Sequence, residues 1–138
     1  MREFFGFLPL AAVAMLGIND WVLKGAFHNT LTGKLSDLAG CFFLPLYVSA
    51  LLSLVRWRNG AARLTTGALV TAVLFASIKL SSAAAEGVCA GLGLIARPLG
   101  FPTLRIVSDP TDLIALVMIP LAWRYGARRL SLTQEHPT

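Results

Sequence analysis

The sequence predicts an all-α polytopic membrane protein, a four-helix transmembrane bundle. Three observations lead to this fold class: 56% of the 138 residues are hydrophobic, only 14% are charged, and the charged residues lie between long apolar segments. A soluble domain carries about 25% charged residues, so the surplus apolar surface must face lipid or other protein. The length allows about four crossings of roughly 20 residues with short connections, hence a single transmembrane domain over residues 1–138.

The first predicted helix covers about residues 4–23, and the second covers about residues 37–55. The first apolar stretch follows a short charged N-terminus, as in a signal peptide. However, Asn19 and Asp20 stand where a small-residue cleavage site would be required, so we expect a retained helix. The second helix ends at the basic run that starts with Arg56.

The third predicted helix covers about residues 64–85, and the fourth covers about residues 111–123. The third apolar stretch continues from Leu64 to Ile95, which as one helix would measure roughly 48 Å. Because a hydrocarbon core is about 30 Å thick, we expect the crossing to end near Ala85 and a short outer helix to follow over about 86–96. The crossing is rich in Gly, Ala and Ser, which favours a central position in close contact with other helices.

Basic residues divide between the two predicted sides of the membrane. One side has Arg2, Arg56, Arg58, Arg63, Arg124, Arg128 and Arg129, and the other has Lys24, Lys34, Arg97 and Arg105. The positive-inside rule therefore predicts a multi-pass membrane protein with both termini in the cytoplasm. Since the arginines flank apolar segments as membrane anchors do, the net charge of +5 does not indicate nucleic-acid binding.

A short pattern occurs twice and suggests two repeated helical hairpins in the same orientation. Ser36-Asp37-Leu38-Ala39-Gly40 followed by Pro45 matches Thr111-Asp112-Leu113-Ile114-Ala115 followed by Pro120. Asp37 and Asp112 would each cap the start of a helix. Two unrelated capping turns explain the same residues, so coincidence stays open.

Ionisable residues at the predicted outer level form a candidate polar site. The carboxylates are Asp37, Glu86, Asp109 and Asp112, the bases are Lys34, Lys79 and Arg105, and His28 lies in the first outer loop. The bases would bind the phosphate headgroup of an anionic lipid. The acids would orient the bases, hold a divalent cation, or act with His28 as general acid and base. Lys79 and Glu86 would share one face if their helix continued.

Simpler roles exist for several of these residues. Helix capping alone would explain Asp37 and Asp112. Lys79 would extend its ammonium to the outer interface, and His28 would be an ordinary polar surface residue. Cys41 and Cys89 are both predicted to lie toward the outer side. They can be small buried apolar residues, and a disulfide between two helices is the alternative. Nothing in the chain matches a nucleophile elbow, a phosphate-binding loop or a zinc-protease motif.

Two families resemble parts of this sequence. Gly33-Lys34-Leu35-Ser36-Asp37-Leu38-Ala39-Gly40 resembles the loop motif of major facilitator transporters, but Cys41-Phe42-Phe43 replaces the expected basic residues, so we interpret it as a shared capping turn. Residues 34–122 resemble the VanZ-like family of small bacterial membrane proteins linked to glycopeptide resistance.

The VanZ-like resemblance rests on three short motifs, each with a departure. Lys34 and Asp37 match a Lys and His pair, with Asp replacing His. Glu86 matches an outer Glu, with Cys89 where Gln is common. Arg105, Asp109 and Asp112 match an Arg followed by spaced acids, with Leu116 where Asn is usual. The resemblance implies a protein of the bacterial inner (cytoplasmic) membrane that acts on an outer-face envelope component such as a cell-wall precursor or a polyprenyl lipid.

These observations support three functional hypotheses. The first is recognition or modification of an anionic lipid or cell-envelope precursor headgroup at the outer face. The second is a non-catalytic helper subunit that packs its small-residue helix against a larger membrane protein complex. The third is a small oligomeric transporter, which requires ionisable groups on both sides of the membrane midplane.

Overall fold

All regular secondary structure in the part of the chain that is described is helical. The computed structural model describes residues 6–18, 30–55, 58–98, 100 and 106–134, and no strand occurs among them. The predicted all-α class is therefore confirmed. The elements are α1 (Phe7–Ile18), α2 (Thr30–Leu54), α3 (Gly60–Leu80), α4 (Ser82–Ala96), a 3-10 helix (Pro110–Val117) and α5 (Met118–Gln134).

Two helices, rather than the four predicted, are long and apolar enough to span a membrane in the described residues. They are Gly33–Leu54 within α2 and Gly60–Leu80, which is α3. The 12 described residues of α1 and the 15 of α4 are shorter than the roughly 20 that a crossing requires. α5 continues beyond Trp123 through a basic stretch to Gln134, so its 17 residues are not uniformly apolar.

Helix α2 begins at Thr30 rather than near residue 37. Helix elongation is cooperative, so a helix need not end where its apolar stretch ends. Asp37 consequently lies inside α2 and does not cap it, whereas Asp112 lies in the 3-10 helix. The two copies of the Ser/Thr-Asp pattern thus differ in local structure.

The long third apolar stretch is divided into two helices, at Ser81 rather than near Ala85. Ser81 is extended, with φ −133° and ψ 117°, and its side chain accepts a hydrogen bond from the backbone N–H of Ala84. Its own N–H still donates to the carbonyl of Ser77 at 3.0 Å. One residue therefore both ends α3 and caps α4.

The chain forms two compact units, residues 1–72 with 115–138 and residues 73–114. In the first unit, α2 packs against α1 and α5, and a core forms from Leu46, Leu64 and Ala122. Glycine permits close packing at Gly126, where a Cβ would lie 2.6 Å from Leu64 Cδ2. At Gly67, a Cβ would overlap the backbone carbonyl oxygen of Pro45, so α3 closely approaches α2 there.

The second unit contains the end of α3, all of α4 and the segment that leads into the 3-10 helix. Gly100 has φ +78°, and its N–H donates to the carbonyl of Arg97 at 3.1 Å in a turn after α4. Cys89 of this unit and Cys41 of the first unit form no disulfide; Cys89 is half-buried and Cys41 is buried.

Candidate functional site

An ion pair between Lys79 and Asp112 forms the polar centre of the second unit. Lys79 lies in the last turn of α3 and Asp112 in the first turn of the 3-10 helix. Lys79 Nζ lies 2.8 Å from Asp112 Oδ2, and the two side chains are only 6% and 10% exposed. Burying a charge is costly unless the charge is paired. The ammonium and the carboxylate therefore each lower the free-energy cost of burying the other.

Three neighbouring groups complete the surroundings of the lysine. Nζ also donates to the backbone carbonyl of Val107 at 3.3 Å, and it lies 5.5 Å from the centroid of the Phe75 ring. A ring face within about 6 Å attracts a cation. The hydroxyl of Ser108 donates to the backbone carbonyl of Lys79 at 2.8 Å. Lys79 therefore holds the segment before the 3-10 helix against the end of α3.

The break at Ser81 explains why the Lys79 carbonyl can accept this bond. The last carbonyls of a helix have no intrahelical partner and must find one elsewhere. Ser108 supplies that partner from the segment that precedes the 3-10 helix. The helix end and the polar centre are consequently parts of the same arrangement.

Asp109 performs the capping role at the start of the 3-10 helix. Its Oδ1 accepts hydrogen bonds from the Thr111 N–H at 2.9 Å and the Thr111 hydroxyl at 2.8 Å. Pro110, which has no N–H to satisfy, occupies the first helical position. Since Asp109 caps the helix, the carboxylate of Asp112 is available for Lys79.

The structure separates the candidate site residues into several environments. It brings Lys79 and Asp112 together, with Asp109 capping the same 3-10 helix. Glu86 is exposed on α4. The helix ends between Lys79 and Glu86, so the continuous face that would have joined these two residues does not form.

Lys34 and Asp37 both belong to α2 in the first unit and are half-buried. They are three positions apart, a spacing that places two side chains on one face of a helix. His28 and Arg105 lie outside the described residues, so their predicted roles stay predictions.

The described residues contain no three-ligand site for the divalent cation that the sequence suggested. No group of three or more His, Cys, Asp or Glu residues is placed there to hold a metal ion. Asp112, a proposed oxygen ligand, accepts from the Lys79 ammonium instead. The charged groups that the structure brings together here are the Lys79 ammonium and the Asp112 carboxylate.

Sequence reasoning named both members of the ion pair but missed their pairing, and it missed Phe75, Val107 and Ser108. One signal was present: a lysine within an apolar helix requires an opposite charge. Asp112 begins the next strongly apolar stretch and was a natural partner.

No family model matches the chain, and no curated protein or solved structure matches it either. The geometry around Lys79 and Asp112 is therefore the basis for assigning a function.

Proposed function

We propose that this chain is an integral protein of the bacterial cytoplasmic membrane that recognises an anionic headgroup at the outer face. The observation that carries the proposal is the buried Lys79–Asp112 ion pair at the end of an apolar helix. Ionisable groups at membrane depth are costly, and they commonly mark ligand sites or transport pathways.

The exposure of the apolar helices supports membrane embedding. In the most apolar windows of α2 and α3, only 33% and 28% of residues are buried within the protein. A core helix of a soluble protein would be buried over most of its length. Large apolar side chains such as Leu69 and Val73 on α3 are instead 61% and 66% exposed. Lipid is the natural environment for such faces.

The charge distribution along α3 supports the orientation. Arg63 lies in its first turn, Arg58 shortly before it, and Lys79 in its last turn. The positive-inside rule places the arginine-rich start in the cytoplasm and Lys79 near the outer face. The predicted first and fourth crossings, which contain α1 and the 3-10 helix with the start of α5, would complete a four-helix bundle with α2 and α3, and both termini would then be cytoplasmic.

Recognition proceeds by partner exchange at Lys79. In the structure, Asp112 neutralises the Lys79 ammonium. A phosphate that arrives from the outer surface takes the place of the Asp112 carboxylate, and the released carboxylate turns to water. Lysine acts in such sites as a point charge for phosphate. The resemblance to the VanZ-like family favours a polyprenyl phosphate or a related envelope lipid as the ligand class.

The experiment measures retention of two lipids, undecaprenyl phosphate and phosphatidylglycerol, by native mass spectrometry of the detergent-solubilised protein. The test variant is the double substitution Lys79→Met with Asp112→Leu, which removes both buried charges together. We expect affinity to fall about tenfold or more, since a hydrogen bond to a charged group contributes about 1.5–3 kcal/mol.

Glu86→Gln is the matched control, because Glu86 is an exposed acid of the same unit. It should retain wild-type binding. Equal binding of both lipids by the wild type and the double variant would remove the recognition proposal. The orientation is tested separately with fusions of a cytoplasm-active fluorescent protein to each terminus, and a dark C-terminal fusion would contradict it.

The helper-subunit alternative has less support. Its main basis was the small-residue content of the third helix, yet the close approach at Gly67 is made to Pro45 within the chain. A stoichiometric partner that copurifies in mild detergent, combined with no lipid binding, would favour the helper role. Ion flux through reconstituted protein would favour the transporter role.

A further inference from the structure

A cavity of about 570 Å³ lies in the first unit, where the start of α3 meets the end of α5. Arg58 and Arg63 contribute its basic lining, and Leu64, Trp123 and Leu130 contribute apolar lining. The volume is within the range of about 300–1,000 Å³ that small-molecule sites occupy. The cavity shares no residue with the Lys79–Asp112 site.

The lining combines positive charge with apolar surface. Arg58 is exposed and Arg63 is buried, so positive charge is present both at the surface and within the fold. Among the described residues that line the cavity, none is acidic. Gly60 contributes to its shape: a Cβ there would lie 2.7 Å from Leu130 Cδ1, so glycine lets the end of α5 pack on the first turn of α3.

We propose that this cavity binds an anionic phospholipid. The guanidinium groups of Arg58 and Arg63 contact the headgroup phosphate, for which their planar donors are well suited. Leu130 and Trp123 contact the glycerol and the upper acyl chain. This apolar lining favours a lipid over a free phosphate compound. Basic pockets between membrane helices on the cytoplasmic side are a known setting for anionic headgroups.

The inference uses the membrane placement of the proposed function, but it is independent of headgroup recognition at Lys79. The two sites differ in position along α3, since Arg63 lies in its first turn and Lys79 in its last. A lipid held at the basic end would anchor the start of α3 against the end of α5. Its loss should leave ligand exchange at Lys79 intact.

Trp123 provides a local reporter for the test. It lines the cavity, and its Nε1 donates to Thr65 Oγ1 at 3.3 Å, which orients the indole. Trp21 and Trp57 are replaced by Phe, and the protein is placed in phosphatidylcholine nanodiscs. A minor fraction of lipid with brominated acyl chains, either phosphatidylglycerol or phosphatidylcholine, is then added, and quenching of Trp123 fluorescence is measured.

We expect brominated phosphatidylglycerol to quench Trp123 more strongly than brominated phosphatidylcholine at equal fraction. Arg58→Gln should lower this preference about fivefold, corresponding to about 1 kcal/mol for one basic residue near an anionic surface. Arg124→Gln is the matched control, because Arg124 is an exposed arginine on α5 that does not line the cavity. Ala61→Phe fills the cavity without removing charge and should abolish the preference.

Several outcomes would overturn the inference. Equal quenching by the two brominated lipids, or an equal loss in the Arg58 and Arg124 variants, would remove the lipid site. If sn-glycerol 3-phosphate changes Trp123 emission while brominated phosphatidylglycerol does not, the cavity takes a free phosphate compound. Failure to enter nanodiscs would overturn both proposals.

Normal quenching in the Lys79→Met, Asp112→Leu variant would show that the cavity acts independently of the first site.

Discussion

Breaking the Lys79–Asp112 pair from one side should destabilise the protein far more than removing both charges. Lys79→Met leaves a buried carboxylate without its ammonium, and Asp112→Leu leaves a buried ammonium without its carboxylate. Loss of one partner of a buried pair costs about 3–5 kcal/mol. We expect Asp112→Leu near the lower end of that range, because the Val107 carbonyl and the Phe75 ring still contact Nζ.

The double variant should regain most of that stability. Replacing a buried ion pair with apolar residues of similar volume is often neutral or stabilising by about 1–4 kcal/mol. The cycle is therefore strongly non-additive: the double variant should unfold close to the wild type, although each single variant unfolds much earlier.

The assay is equilibrium unfolding in mixed micelles, followed by far-ultraviolet circular dichroism of the helices. Glu86→Gln serves as the control, since an exposed substitution should change the unfolding free energy by less than about 0.5 kcal/mol. Single variants that each cost less than about 1 kcal/mol, or effects that simply add in the double variant, would refute the account of a buried and mutually neutralising pair.

Three further predictions concern the packing and the hydrogen bonds around the site. Gly67→Ala should lower the unfolding free energy by about 1–3 kcal/mol, because the new methyl group would overlap the Pro45 carbonyl; wild-type stability in the same titration would contradict this contact. Ser108→Ala should cost about 1 kcal/mol by removing the hydroxyl that donates to the Lys79 carbonyl, and Ser108→Thr should retain part of it. Asp109→Ala should also cost about 1 kcal/mol by removing the cap of the 3-10 helix, measurable as a lower midpoint, whereas Asp109→Asn should lose less.

Composition was sufficient to predict the helical class and the two longest apolar helices. Backbone groups that leave water must be paired, and a helix pairs them along its own length. Apolar stretches of about 20 residues therefore favour helices, since strands usually have about 3–10 residues. Helix ends were less predictable. α2 starts at Thr30 because helix growth depends on its own hydrogen bonds, whereas hydrophobicity indicates only which part can enter lipid. The end of α3 at Ser81 reflects a local serine cap within a small-residue run.

The candidate site was predictable in its members but not in its partnerships. Lys79 and Asp112 were both named from sequence, yet they are 33 positions apart and meet only when two segments fold together. Lys79 with Glu86 was the closer pair in sequence, and the extended conformation of Ser81 separated their helices. Sequence spacing reports on neighbours only while one helix continues.

The sequence by itself determined the helical class, the uneven distribution of arginines and the supply of ionisable residues near the ends of apolar segments. Only the tertiary structure decided which acid serves which purpose: Asp109 caps a helix, Asp112 neutralises Lys79, and Glu86 is exposed. The physical reason is burial. All three acids carry the same group, and the free energy of a carboxylate depends on the N–H groups, cations and water around it, which are set by how the segments pack.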